Sequence, residues 1–540
     1  MNKSPFENFI TSPRKLLIVD FLIVVPFLVL PLFLKLPYRV NIFLTWEGAY
    51  RLYLGQTPFV DFGIPMGFGF WVIPAAFFKI FGTAFISLVK AQVFINFISI
   101  ISLRGMLYNL KVKPIAITLS ILIFCLTFVI YNFWPWYNHS VVVFELVAFF
   151  FLTSYDVDNG KWKNILFLVM AGFFTFFSFF TKQDVGGICL VICSFLLVYI
   201  FLLEKRIYPL IIYLISFFVV AIIFTVPFIN HDFFYWFNYG QAPHSSRISI
   251  SLLADILFIE SLNEKIYILL LLGGIILTIP SWQYYFKDKH LFFITILSLG
   301  LILQSLVTRA TSPLPTNHMN YYHTFGFIGI AYFLPWEKWN RNFLSIAMIA
   351  ILLMACYSEG YWKYVSGLIP KKQKDLVEEK AAVKWTESSL PTMKRILLPE
   401  PTNKGIDNVL SLPFLKKENL KVLNMTELTS LAQEIGYTPI TNQPLWYHLN
   451  IGIFQKQVNE INNLVKAKYY DIVLFEDIPS LNNFYPYEIV HELRKNYFYY
   501  DSFMAPRKLE DSHIDVFIRP DLATQFELQP KNNLSNLNPQ

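Results

Sequence analysis

The chain carries little charge for its length. Asp, Glu, Lys and Arg make up 15% of its 540 residues, against about 25% in an ordinary soluble domain. Hydrophobic residues make up 55% and aromatic residues 18%. A spanning helix needs about 20 apolar residues, or fewer where flanking side chains snorkel. The sequence therefore predicts a polytopic α-helical membrane protein with about 11 transmembrane helices, at residues 16–34, 84–103, 114–131, 139–154, 163–180, 186–203, 207–229, 265–285, 291–307, 321–336 and 342–358.

Cysteine is also scarce. The four cysteines, Cys125, Cys189, Cys193 and Cys356, lie inside apolar stretches, where neither an exposed disulfide nor a zinc knuckle is expected. We expect them to be buried as small apolar residues. The formal net charge of +7 would suggest nucleic acid in a soluble protein. Here Lys and Arg cluster in short loops that orient helices, so no nucleic acid partner is predicted.

Several motifs of soluble enzymes are missing. No Walker loop, dinucleotide fingerprint or Ser-His-Asp set occurs. His318 and His323 are five residues apart, whereas a helical metal pair needs a spacing of four, and no HExxH motif accompanies them. No cofactor is therefore predicted, and a divalent metal stays open as an alternative.

The distribution of basic residues predicts the topology. Every second loop is basic if the N-terminus is cytoplasmic, and these loops carry Arg104, Lys111, Lys113, Lys161, Lys163, Lys205, Arg206, Lys287, Lys289, Lys338 and Arg341. No small-residue cleavage site follows the first apolar stretch, so we expect that helix to remain as an anchor. The segment 68–81 contains Pro74 and Lys79 and is short, which favours an interfacial helix on the outer face. The prediction is a multi-pass protein of the plasma (inner) membrane with an exoplasmic, or periplasmic, C-terminus.

The predicted domains follow from these patterns. They are a cytoplasmic N-terminus (1–15), a transmembrane domain (16–358) with an outer loop (35–83), a tether (359–420) and an exoplasmic α/β domain (421–540). Within the last domain, residues 471–477 and 514–520 have strand composition. Residues 426–436, with a Thr426 cap and Gly436 at the end, and residues 487–496 have the pattern of amphipathic helices.

Ionisable side chains are concentrated in the predicted outer loops, although a charge at the bilayer centre costs about 3 kcal/mol or more. Glu47 and Arg51 are spaced as i, i+4 partners in the loop WEGAYRLYLGQTPFVDF. They could form a solvated ion pair worth about 0.3–0.5 kcal/mol, or Glu47 could act as a general base. Asp61 has the same chemistry, but its GQTPFVDFG context is typical of a turn in which Asp caps its own backbone.

Other outer loops contain candidate binding residues. Lys182 in TKQDVGG and Arg309 after an apolar stretch suit either snorkelling or the neutralisation of a phosphate. Gln183 and Asp184, which follow Lys182, are further candidate binding residues. In FWPWYNHS, Tyr137 and His139 belong to an aromatic interface belt or to a surface that stacks on a sugar ring. In NHMNYYH, the residues His318, Tyr322 and His323 suit recognition of hydroxyl and phosphate groups.

The first outer loop, together with IPMGFGFWVIPAAFFKIFG, resembles the type C integral-membrane glycosyltransferases, in particular the bacterial branch related to protein mannosyltransferases and aminoarabinose transferases. The matching positions are Glu47, Gly48, Tyr50, Gly55, Pro58, Asp61, Phe62, Pro65, Phe81 and Gly82. TKQDVG is also similar to a recurrent segment of that family. The family's first acidic position is Trp46 in this chain, so the catalytic carboxylate carries over to Glu47 alone.

The resemblance implies an enzyme that moves a sugar from a polyprenyl-phosphate donor to an acceptor on the outer face. It also implies inversion at the sugar and a loop carboxylate as base. Membrane lipid and a glycan, lipid or protein acceptor would be the other partners. Two alternatives stay open: a transporter or flippase of lipid-linked glycans, and a non-catalytic envelope-glycan assembly protein.

Overall fold

Helices account for most of the fold and agree closely with the apolar stretches of the sequence. The structure, a computed structural model, describes residues 5–39, 42–237, 249–312, 316–339, 343–360, 362, 383–481, 483–506 and 512–531. Two compact units divide the chain. Unit 1 comprises Met1–Pro31, Gln92–Pro227 and Ser245–Pro370, and unit 2 comprises Leu32–Ala91, Phe228–His244 and Lys371–Gln540.

The regular secondary structure of unit 1 is helical in its described residues. Its α-helices are Pro5–Ile10, Pro13–Val29, the larger part of Phe85–Asn109, Pro114–Thr127, Tyr137–Thr153, Lys161–Thr181, Gln183–Glu204, Tyr208–Thr225, Ile250–Asp255, Asn263–Thr278, Trp282–Lys287, Lys289–Thr311, Tyr321–Ala331, Trp336–Trp339 and Phe343–Tyr357. Short 3-10 turns follow several of them, and a π-helical turn spans Ile256–Glu260. Their buried faces form one apolar core, which includes Leu103, Ile121, Leu146 and Leu301.

Seven of the described helical segments are long and apolar enough to cross a membrane: Pro13–Leu32, Phe85–Asn109, Pro114–Tyr131, Lys161–Thr181, Gln183–Glu204, Tyr208–His231 and Lys289–Thr311. Shorter apolar helices are Gly69–Phe81, Tyr137–Thr153 and Phe343–Tyr357. The polytopic helical fold is thus confirmed, and the number of about 11 crossings stays a prediction.

One predicted span is interrupted in the structure. Residues 265–285 form two helices, Asn263–Thr278 and Trp282–Lys287, instead of one. Pro280 lies between them, and the residue before a proline is driven out of the helical conformation. Ile279 is accordingly extended, and Ser281 caps the second helix by accepting a hydrogen bond from the Tyr284 backbone N–H at 3.2 Å.

Unit 2 combines the first outer loop with the C-terminal residues. Its α-helices are Ile42–Tyr53, Gly69–Phe81, Phe233–Phe237, Glu400–Leu410, Leu431–Ile435, Gln455–Lys466, Tyr487–Asn496 and Pro520–Gln525. Its strands are Leu36–Pro37, Phe62–Gly63, Trp385–Glu387, Ile396–Pro399, Val422–Met425, Gln443–Pro444, Ile472–Asp477, Phe498–Met504 and His513–Ile518. Two short parallel pairings join the loop to the C-terminal part: Leu36–Pro37 beside Ile396–Pro399, and Phe62–Gly63 beside Gln443–Pro444.

A four-stranded sheet forms the centre of the C-terminal α/β region. Val422–Met425 pairs in parallel with Ile472–Asp477, which pairs antiparallel with His513–Ile518, and Phe498–Met504 follows at the edge. A parallel pair requires a crossover connection, and helix Gln455–Lys466 lies in the chain between the first two strands. The strand predictions for 471–477 and 514–520 and the helix prediction for 487–496 are confirmed.

Three expectations need correction. The helix predicted over 426–436 covers only Leu431–Ile435, because the Thr426 hydroxyl accepts a hydrogen bond from the Leu428 N–H at 2.9 Å and holds a turn. Gly436, with a φ of 84°, does end that helix. Cys356 is exposed on its helix, whereas the other three cysteines are buried.

The third correction concerns the domain boundaries. Within the predicted tether (359–420), the described residues from Trp385 onward form two strands and a helix of unit 2, and residues 363–382 lie outside the described part. The outer loop (35–83) also belongs with the C-terminal residues and not with the transmembrane helices. Helix Gly69–Phe81 has 13 residues, hence a length of about 20 Å, which is too short to cross a bilayer. Its interfacial position stays a prediction.

Candidate functional site

Glu47 lies on the short helix Ile42–Tyr53 of unit 2. The residues from Ile42 to Arg51 are all buried, so this helix is an internal element of the unit and not a solvated loop. The helix ends where Gly55 adopts a φ of 84°, a left-handed conformation that glycine adopts without strain. The ring of Trp71 lies against the backbone of Gly48, where any larger side chain would overlap it.

Glu47 and Arg51 form the i, i+4 pair that their spacing predicts. Arg51 Nε donates to Glu47 Oε1 at 2.9 Å, and Arg51 Nη2 lies 2.8 Å from the same oxygen. The Arg51 side chain is 3% exposed and that of Glu47 is 9% exposed. The pair is therefore buried, and the interpretation as a solvated surface ion pair is wrong.

The C-terminal α/β region closes over this pair. Arg51 Nη1 donates to the Ile440 carbonyl at 3.1 Å and to Gln56 Oε1 at 3.0 Å, and Gln56 Nε2 donates to the Pro439 carbonyl at 2.9 Å. Glu47 and Arg51 share a cavity of about 20 Å³ with residues of the α/β region, which is enough space for one water molecule. The polar residues of the α/β region that line it are Asn424, Thr429, Tyr437, Gln443 and Tyr447.

Burial raises the pKa of Glu47 above the ordinary value of a glutamic acid, although the Arg51 charge and its hydrogen bond act in the opposite direction. Desolvation disfavours the charged form of a carboxyl, whereas a nearby cation favours it. A carboxylate with a raised pKa accepts a proton more readily than a solvated one, which is the property that a general base requires. The neighbouring Tyr437 also has a raised pKa because it is buried, and its hydroxyl accepts a hydrogen bond from Asn424 Nδ2 at 3.2 Å.

Asp61 has the geometry of a turn residue. Its Oδ2 accepts a hydrogen bond from the Thr57 backbone N–H at 2.6 Å, which closes the turn GQTPFVD. Its carbonyl accepts from the Asn442 N–H at 2.7 Å. Asp61 thus fixes the loop, and a catalytic role for it remains only a prediction.

Trp46 occupies the position where the family has its first acidic residue. Its indole Nε1 donates to the Thr83 carbonyl at 2.7 Å, and its ring stacks on Tyr50 with centroids 4.5 Å apart. Trp46 is fully buried. It packs helix Ile42–Tyr53 against the residues that follow helix Gly69–Phe81. It offers no second carboxylate beside Glu47.

The remaining candidates belong to unit 1. Lys182 joins helices Lys161–Thr181 and Gln183–Glu204, and Gln183 and Asp184 are in the first turn of the second helix. Lys182 Nζ lies 3.1 Å from Asp184 Oδ2 and donates to Thr311 Oγ1 at 3.1 Å, while Thr311 Oγ1 donates to the same carboxylate oxygen at 2.5 Å. Lys182 is thus already neutralised by a carboxylate, and a phosphate would have to compete with Asp184.

Arg309 is paired in the same way. Its Nη2 lies 2.5 Å from Glu264 Oε1, and the Glu264 side chain is 2% exposed.

The ring centroid of Tyr322 lies 4.1 Å from that of His323. His323 Nδ1 is 3.0 Å from the Tyr267 hydroxyl, which makes a further hydrogen bond to Tyr357.

Two of the candidate histidines, His139 and His318, lie beside the indole ring of Trp136. The ring centroid of Trp136 lies 5.4 Å from that of His139 and 5.2 Å from that of His318, and the two imidazoles are 6.3 Å apart. Tyr137 is the first residue of helix Tyr137–Thr153, and its ring centroid lies 5.2 Å from that of Trp136. Among the described residues, no group of three His, Cys, Asp or Glu side chains is placed to hold a metal ion.

Sequence reasoning missed several residues around these candidates. Asn424, Tyr437 and Tyr447 approach Glu47 from a part of the chain far away in sequence, and no local pattern indicates this. Glu145, a buried residue of helix Tyr137–Thr153, accepts a hydrogen bond from Gln304 Nε2 at 2.7 Å. These contacts exist only after the helices and the α/β region have packed.

Comparison with known proteins supports the fold. No protein-family model and no curated protein sequence matches the chain. Among solved structures, the chain is similar to apo ArnT from Cupriavidus metallidurans, with a TM-score of 0.51, 12% identity and coverage of 93% of this chain and 98% of that one. The chain therefore shares its fold with ArnT, and at this identity the similarity shows the fold alone.

Two further structures have lower scores. ArnT from the same organism bound to undecaprenyl phosphate has a TM-score of 0.49 with 11% identity, over 98% of this chain and 100% of that one. The arabinofuranosyltransferase AftD from Mycobacteria has a TM-score of 0.42 with 10% identity, over 94% of this chain and 40% of that one.

Proposed function

We propose that the chain is an integral-membrane glycosyltransferase that moves a sugar from a polyprenyl-phosphate donor to an acceptor on the outer face of the membrane. The observation that carries the proposal is the buried Glu47, whose raised pKa and polar cavity suit a general base. The loop pattern WEGAYRLYLGQTPFVDF supports the same assignment. The acceptor is a glycan, a lipid or a protein.

The proposed reaction is a single displacement with inversion. An acceptor hydroxyl or amine attacks the anomeric carbon, the bond from that carbon to the phosphate oxygen breaks, and the polyprenyl phosphate leaves. Glu47 takes the proton of the attacking group. Lys182, Arg309 and the histidines His318 and His323 are the proposed source of charge and hydrogen bonds for the leaving phosphate. The proposed orientation places the N-terminus in the cytoplasm and the α/β region outside the plasma (inner) membrane.

The pH dependence of transfer tests the role of Glu47. A base must be deprotonated, so kcat/KM should rise with pH through the pKa of Glu47. The Arg51 charge lowers that pKa, so Arg51→Gln removes a lowering influence and raises it further. We expect the acidic limb of the pH–rate profile to move to higher pH in Arg51→Gln, and to move less in Arg51→Lys, which keeps the charge.

Lys35→Gln is the matched control for this experiment. Lys35 is an exposed cation of the same unit that pairs with Glu387 at 2.8 Å, and it is not one of the residues that line the cavity. The pH–rate profile of Lys35→Gln should keep the acidic limb at the wild-type position. An acidic limb that stays in place, or moves to lower pH, in Arg51→Gln would show that the titrating base is a group other than Glu47.

A further inference from the structure

The segment 132–140 of unit 1, NFWPWYNHS, contains buried polar side chains that packing has not satisfied. Asn132 and Asn138 are each 1% exposed, and Trp134 and Ser140 are also buried. Both amide atoms of each asparagine, the Trp134 indole N–H and the Ser140 hydroxyl have no hydrogen-bond partner among the described residues. Four such side chains thus fall within nine consecutive positions.

The backbone of Asn132 is held by hydrogen bonds, so its side chain is not needed to fix the chain there. The Asn132 N–H donates to the Val129 carbonyl at 3.0 Å, and the Asn132 carbonyl accepts from Asn96 Nδ2 at 3.0 Å. The amide of Asn96 accepts in turn from Gln92 Nε2 at 2.8 Å. The remaining oxygen of Gln92, Oε1, is buried and has no partner in the described part of the chain.

Buried polar groups in proteins are nearly always paired, and a buried group without a partner destabilises the fold. A concentration of them in one segment therefore points to a role other than packing. The groups are two amides, an indole N–H and a hydroxyl, together with the amide oxygen of Gln92, whose side chain is linked through Asn96 to the Asn132 carbonyl. None carries charge. Amides that both donate and accept match the hydroxyl groups of a sugar, which also do both, and an indole ring packs on the apolar face of a sugar.

We propose that Asn132, Trp134, Asn138 and Gln92 form a binding site for the hydroxyl groups of a sugar. The inference deepens the proposed function and rests on it, because that reaction requires a place for a sugar ring. The sugar belongs either to the lipid-linked donor or to an acceptor glycan, and both present the same uncharged hydroxyl groups.

The test uses Asn138→Leu and Asn132→Leu in the full-length protein in lipid nanodiscs. Leucine has a similar shape to asparagine and removes the unpaired amide. The donor probes are undecaprenyl phosphate and a panel of synthetic undecaprenyl-phosphate hexoses and pentoses. The acceptor probes are soluble oligosaccharide fragments of cell-envelope glycans. We expect each variant to bind one class of sugar-bearing probe roughly tenfold more weakly, to bind undecaprenyl phosphate as the wild type does, and to have an equal or higher melting temperature.

Asn164→Leu is the matched control. Asn164 is a buried asparagine of unit 1 whose amide is satisfied, since its Nδ2 donates to the Asp156 carbonyl at 2.6 Å and its Oδ1 accepts from the Asp156 N–H at 3.3 Å. Its variant should lower the melting temperature and leave sugar binding unchanged.

The outcomes separate this site from the catalytic assignment. Loss of binding to the sugar-bearing lipids assigns the site to the donor, and loss of binding to the oligosaccharides assigns it to the acceptor. Wild-type binding of every probe by both leucine variants would overturn the site, as would a wild-type protein without sugar-dependent binding. If transfer activity is absent but the variants lose sugar binding, the proposed function fails and the site stands. If Glu47→Gln abolishes transfer while sugar binding is normal in both leucine variants, the proposed function stands and the sugar site fails.

Discussion

Glu47→Gln is expected to abolish sugar transfer while the protein still inserts into the membrane. Glutamine keeps the size of the side chain and can still accept the Arg51 hydrogen bond, but it cannot take a proton at the pH of the reaction. A positioned general base contributes typically about 10²–10⁴-fold to rate, so transfer should fall by about that factor. The measurement is the initial rate of transfer from a polyprenyl-phosphate sugar by purified wild-type and variant protein.

The control for this variant is Glu387→Gln. Glu387 is a partly exposed carboxylate of the same unit, paired with Lys35, and its neutral variant should transfer within about twofold of wild type, because exposed ion pairs contribute little to stability. Glu47→Gln leaves the buried Arg51 cation without a counter-charge, so Glu47→Gln/Arg51→Gln is needed to separate chemistry from stability. Wild-type rates in the single variant would remove Glu47 from the mechanism.

Arg309→Ala is expected to destabilise the protein strongly. It would leave Glu264, whose side chain is 2% exposed, buried without its partner. Breaking a buried pair by removing one member costs about 3–5 kcal/mol. Arg309→Leu/Glu264→Leu removes both charges together and should recover most of that loss. The measurement is thermal unfolding of the purified variants in the same detergent, and equal melting temperatures for Arg309→Ala and wild type would show that the pair does not stabilise the fold.

The same pair provides a test of phosphate binding. If Arg309 binds the donor phosphate, the phosphate competes with Glu264 for the guanidinium. Glu264→Gln should then tighten binding of undecaprenyl phosphate, whereas the folded double variant should weaken it. A Glu264→Gln protein that binds the lipid no more tightly, together with a double variant that binds it normally, would place the phosphate away from Arg309.

The membrane fold was predictable because it depends on local composition. Apolar length alone located the described long helices, and alternation of β-branched and aromatic residues located strands Ile472–Asp477 and His513–Ile518. Predictions of helix boundaries failed where a single residue opposed the helical pattern of its segment. The Thr426 hydroxyl holds a turn where the helical pattern had begun, and Pro280 divides one apolar stretch into two helices.

The environment of Glu47 could not be predicted from its own segment. The i, i+4 spacing indicated the Arg51 pair correctly, but spacing says nothing about burial. Burial comes from Pro439, Ile440 and the residues around Tyr437, which are separated from Glu47 by almost 400 positions in the sequence. The same holds for Asn132 and Asn138, whose side-chain amides have no hydrogen-bond partner among the described residues, because that depends on how the helices around them pack.

The most direct test of the account is the stereochemistry of the product formed by the purified wild-type protein. The protein is incubated in lipid nanodiscs with polyprenyl-phosphate sugars of defined anomeric configuration and with candidate acceptors, and the new glycosidic bond is assigned by NMR. The account predicts transfer from a polyprenyl-phosphate donor with inversion at the anomeric carbon. Transfer with retention would contradict a single displacement with Glu47 as base, and a donor other than a polyprenyl-phosphate sugar would contradict the proposed function itself.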